Sequence, residues 1–183
     1  MPLVGNLIKR YPRLPALFAN TMTSKVIQII KTRALEPVFE RPSVVRRILN
    51  LPKSLQMGAE WVLYFLSGAI RTMPERDTVM GIIAKEALAE SLTQTGIKIN
   101  ELSAREYAEC LEVIDISQPL VHAKLVGAVK KDHQFREHLD SILGTAQDWR
   151  GIIQEADDFV SHVDKQTQVH REARKARGWR RFL

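Results

Sequence analysis

Apolar residues in this chain recur every three or four positions over one segment after another, the spacing of helices that bury one face. Between Pro15 and Pro37, Val26, Ile29 and Ile30 recur in that way, and Lys25, Lys31 and Arg33 flank them, which predicts a basic amphipathic helix. Ser43 is placed to cap a short helix running through Leu51. Pro52 then opens the most apolar helix, with Leu55, Trp61, Leu63, Phe65, Leu66 and Ile70. Pro74 is expected to start the next one, with Glu75 and Asp77 in the first turn, where the helix dipole favours acids. Its apolar positions are Val79, Ile82, Ile83, Ala87 and Leu88, and Thr93 to Gly96 ends it.

The second half continues in the same manner. Ser103 followed by Glu106 is a capping-box pattern, with Tyr107, Leu111 and Ile114 spaced as a helix behind it. Ser117 with Pro119 predicts a separate helix bearing Leu120, Val121, Leu125, Val126 and Val129. Phe135, Leu139, Ile142 and Leu143 form another set that stops at Gly144. A last helix from about Asp148 carries Ile152, Ala156, Phe159, Val160 and Val163. Beyond Val163, residues 164 to 178 offer only Val169, Ala173 and Ala176, so this helix is expected to leave the core and project. The one alternating piece, Ile97 to Asn100, reads as an extended linker. The expected fold is all-α: a single-domain multi-helix bundle with a projecting basic C-terminal helix or tail.

Charge changes this picture, because it is sorted by position. Residues 1–53 carry ten Lys/Arg against two acids, a net of +8. Residues 54–164 carry ten against eighteen, a net of −8, and residues 165–183 carry seven against Glu172 alone, a net of +6. Three parts are therefore expected: a basic, Pro-punctuated N-terminal segment with its amphipathic helix (1–53), an acidic helical core (54–164) and a basic tail containing aromatic residues (165–183). Basic ends suit phosphates, anionic lipid headgroups or an acidic protein surface. Cys110 is the single cysteine, so no internal disulfide is available and stability has to come from packing. The first apolar stretches are broken by Lys9, Arg10, Pro12, Arg13 and Pro15, unlike a secretory signal. The most apolar run, Trp61 to Ile70, is ten residues long, against about 20 for a membrane-spanning helix. A cytoplasmic or organelle-interior location is expected, with peripheral membrane contact as an option and secretion excluded.

Candidate chemistry is sparse. The chain contains no Gly-rich phosphate loop, nucleophile elbow or zinc-binding helix motif. His133 with Glu137, and His138 nearby, place metal-capable groups on one helix, a pairing that surface helices carry by chance. Cys110 lies among Glu106, Glu109 and Glu112, whose charges raise a thiol pKa. Adjacent Asp157 and Asp158 point in different directions on a helix. No catalytic residue, metal, cofactor or small-molecule ligand is expected.

Residues 103–125 are similar to a DNA-binding helix-turn-helix, with Ala108 in the first helix and Ser117-Gln-Pro119 opening the second. The connection is about two residues too long for that motif, and Glu101, Glu106, Glu109, Glu112 and Asp115 would face phosphates. The tail is the stronger candidate: Arg171, Arg174, Lys175, Arg177, Arg180 and Arg181 alternate with Trp179 and Phe182. Arginine grips phosphate or carboxylate with two donors, while the aromatic residues can fill a pocket, enter a lipid interface or stack on bases. Lys25, Lys31 and Arg33 form a secondary basic surface. The sequence therefore predicts a non-enzymatic helical adaptor or accessory subunit whose basic ends dock on a larger protein assembly or an anionic membrane. The alternative is nucleic-acid binding through residues 103–125 or the Arg-rich tail.

Overall fold

The computed structural model of the protein describes residues 4–33, 51–70 and 78–179, with the side chains of 4–6, 51, 174 and 176–179 outside the description. Seven α-helices account for most of these residues and none of them forms a strand, so the fold is an all-α multi-helix bundle. In chain order they are α1 (Val4–Arg10), α2 (Leu14–Thr32), α3 (Leu51–Leu66), α4 (Val79–Gln94), α5 (Ala104–Lys131), α6 (His133–Leu143) and α7 (Trp149–Trp179), with a 3₁₀ turn at Ile99–Glu101 before α5.

Helix α2 lies at the centre. Its stripe of Leu14, Phe18, Met22, Val26, Ile29 and Ile30 is buried and packs against α3, α4, α5 and α6. Each such side chain contributes about 1.5–3 kcal/mol by leaving water. Its basic residues reach acids on the neighbouring helices: Lys25 Nζ lies 2.8 Å from Glu90 Oε2 on α4, and Lys31 pairs with Asp132. Asp132 ends α5 and caps α6, where one carboxylate oxygen accepts from the Phe135 N–H at 3.0 Å. Lys31, followed by that N–H, holds the Asp132 carboxyl below its ordinary range. One short side chain thus ties α2 to the corner between α5 and α6.

The capping box that opens α5 is present in full. Ser103 Oγ accepts from the Glu106 N–H at 3.2 Å, and the Ser103 N–H donates to Glu106 Oε2 at 2.9 Å. Gly144 ends α6 with φ 75°, a conformation that suits glycine. At the start of α7, Asp140 on α6 accepts from the Trp149 indole N–H at 3.0 Å and from the Gln147 N–H at 3.0 Å, and Lys130 pairs with Asp157 at 2.6 Å.

Two expectations are corrected. Residues 104–131 form one helix, not two: Pro119 sits inside α5. The reason is local. Ser117 Oγ donates to Val113 O at 2.6 Å and Gln118 Nε2 donates to Ile114 O at 3.0 Å, so both side chains bond back into the helix they were expected to interrupt. On either side of the proline, Val113, Ile114, Val121 and Leu125 are buried along the same face, which holds the two halves in one line. The other correction concerns α4, which begins at Val79 after an extended Thr78 whose hydroxyl accepts from the Gly81 N–H at 3.1 Å. Pro74, Glu75 and Asp77, and the short helix expected from Ser43, lie outside the described residues.

A proline in a helix interior costs up to about 3 kcal/mol relative to alanine, because it removes one backbone hydrogen bond and crowds the preceding turn. Pro119→Ala should therefore raise the free energy of unfolding by about 1–3 kcal/mol in urea melts. An unchanged or lowered stability would mean that α5 is not continuous at this point.

Candidate functional site

The basic candidates fall into two groups with different surroundings. Lys25, Lys31 and Arg33 are engaged within the bundle: the two lysines in the ion pairs described above, and Arg33 through its guanidinium on Ser141 of α6. Arg33 adopts a left-handed backbone (φ 52°) as the C-cap of α2, a conformation that non-glycine residues adopt at some cost. The C-terminal group lies on α7. This helix is half-buried through Ile152, Phe159, Val160 and Val163, with Ala156 buried, and every side chain from Asp164 to Glu172 is exposed. Arg171 and Lys175 are exposed on its last turns. Arg174, Arg177 and Trp179 belong to the same helix by backbone, while Arg180, Arg181 and Phe182 lie outside the described residues.

The helix-turn-helix reading does not survive, because its two helices are the single helix α5 and the turn between them does not exist. Cys110 is buried, and its thiol is pushed up to about 11, first by burial and then by Glu109 and Glu106. The carboxylates act in the direction expected, but burial is the larger cause. His133 Nδ1 lies 3.2 Å from Glu137 Oε1 on the surface of α6. Among the described residues no three His, Cys, Asp or Glu side chains come together as a metal site. No described helix is long and apolar enough to cross a membrane.

Sequence reasoning missed a cavity of about 540 Å³ between α5, α7 and the end of α3. An aromatic column leads to it. Trp61 and Phe65 stack with ring centroids 4.6 Å apart, Phe65 meets His122 at 5.6 Å, and His122 meets Phe159 at 5.1 Å. Residue 68, at the end of α3, has to be glycine, because φ is 75° and a Cβ there would sit 2.8 Å from the Phe159 ring. His122 is 4% exposed, and its Nε2 lies 3.0 Å from Leu66 O. A carbonyl only accepts, so this contact assigns the ring proton to Nε2 and leaves Nδ1 as the acceptor. Burial lowers the His122 pKa, against the opposing pull of the Leu66 carbonyl, so the ring is neutral near pH 7. Gln118 also lines the cavity; with Nε2 committed to Ile114, its buried Oε1 has no hydrogen-bond partner among the described residues. Nothing in the sequence pointed to this site, because its residues come from positions 65–70, 115–123 and 159–164 and no local spacing links them.

Compared with protein-family models, with curated proteins and with solved structures, the chain shows no match.

A histidine buried in its neutral form makes folding depend on pH. Above the ordinary value of 6.5 neither state carries the proton. Below it the unfolded chain takes up a proton that the folded ring refuses, so stability falls until the pH passes below the lowered folded-state value. Urea melts between about pH 7 and pH 5 should show this decline. His122→Gln, which keeps a donor for Leu66 O, should flatten it, and an equal slope in the variant would show that another group titrates.

Proposed function

We propose that the chain is a non-enzymatic helical adaptor or accessory subunit. Its folded bundle presents the end of α7 as a basic arm that docks on an acidic face of a larger protein assembly. The observation that supports this reading is the run of exposed side chains from Asp164 to Glu172 on an unbroken helix, followed by the Arg/Lys cluster with Trp179 and Phe182. A helix turn with no buried side chain gains little from the rest of the fold. Arg171 and Lys175 are exposed there, and Trp, Phe and Arg are the residue types that anchor protein interfaces.

The N-terminal basic residues serve this role less directly, since Lys25, Lys31 and Arg33 already have partners in the bundle. An anionic membrane is the weaker target. Gln166, Thr167, Gln168 and Glu172 surround Val169, leaving no wide apolar face to sink below the headgroups.

The test reverses charge in the full chain. Arg171, Arg174, Lys175 and Arg177 changed together to Glu should abolish capture of a stoichiometric protein partner without moving the melting temperature. Trp179→Ala with Phe182→Ala should weaken the same capture. Liposomes containing anionic lipid and mixed-sequence RNA, tried in parallel at low and high salt, should bind the original and reversed chains alike. Arm-dependent binding to RNA that vanishes in salt would replace the proposal by nucleic-acid binding, and arm-dependent binding to liposomes would replace it by membrane docking.

A further inference from the structure

The cavity between α5, α7 and the end of α3 has the dimensions and the polarity of a ligand site. At about 540 Å³ it falls within the range of small-molecule pockets. Phe65 and Phe159 supply an aromatic interior, and aliphatic side chains such as Leu120 and Val163 extend it. The polar groups that line it share one character. Asp115 and Asp164 are exposed carboxylates, Gln118 has an unpartnered carbonyl oxygen, and His122 keeps an acceptor nitrogen. The one amide donor, Gln118 Nε2, is committed to Ile114 O. Among the described residues, no Lys or Arg lines the cavity.

We propose that this cavity binds a small organic cation, a protonated amine carried on an apolar, aromatic body. The body packs against the half-buried Phe159, whose ring also attracts a cation. The ammonium group stays at the mouth, where Asp115 and Asp164 offset its charge without full loss of water. An anionic ligand with the same body finds two carboxylates and no cation among the described lining residues. The site is separate from the basic arm, so its fate does not depend on the adaptor reading.

Three probes with one aromatic body separate charge from shape: 1-naphthylmethylamine, 1-naphthylmethanol and 1-naphthoate, each titrated calorimetrically into the full chain. The amine should bind most tightly, the alcohol more weakly, and the carboxylate should give no binding heat. Asp115→Asn with Asp164→Asn should weaken the amine about tenfold while leaving the alcohol unchanged. Ala123→Trp obstructs the cavity from an exposed position on α5, so it should remove binding of both probes with the melting temperature intact. Absence of heat with every probe overturns the proposal. So does naphthoate binding as tightly as the amine, or amine binding that survives Ala123→Trp.

Discussion

Everything in this bundle depends on removing one face of α2 from water. Leu14, Phe18, Met22, Val26, Ile29 and Ile30 form a stripe that four other helices close over, so no neighbouring helix can move without uncovering part of it. The charges at the stripe's edges are matched by acids at fixed places: Glu90 on α4 for Lys25, and Asp132 at the α5–α6 corner for Lys31. Such partly exposed pairs add little energy individually. Their value is in register, because Asp132 contacts Lys31 and also caps α6, so the position of α2 along its own axis sets where α6 begins.

Much of this was legible in the sequence because helical periodicity and capping chemistry are local signals. The stripes on α2 and α6, the Ser103–Glu106 box and the Gly144 stop each fall where the residues placed them, while of the α3 set Ile70 lies beyond the helix and Leu63 is half-buried. Pro119 misled for an equally physical reason. Ser-Gln-Pro is a good helix start when its side chains cap forward, and a tolerable helix interior when they bond backward. That choice is made by the buried residues on both sides, Val113 and Ile114 before the proline and Val121 and Leu125 after it. The cavity was illegible because it is assembled from three helices far apart in sequence. A half-buried Phe159 and a buried His122 read as ordinary core residues until their neighbours are known.

The charge sorting of the chain takes on physical content in the fold. Positive charge near the N-terminus meets the acidic middle through specific pairs, while α7 from Asp164 to Glu172 carries only exposed side chains. The acids that remain exposed include Asp115 and Asp164, at the mouth of the cavity. Exposed Arg171 and Lys175 on α7 and exposed Asp115 and Asp164 at the cavity thus place opposite charges on one molecule.

The most direct test of this account is amide hydrogen exchange on the intact chain, because it reports local opening residue by residue. The account expects strong and equal protection in α2 and on both sides of Pro119 in α5, with protection falling away along α7 after Val163. Protection of residues 164–179 as strong as that of α2 would mean that the arm is packed into the fold, and would contradict the division between closed bundle and free arm.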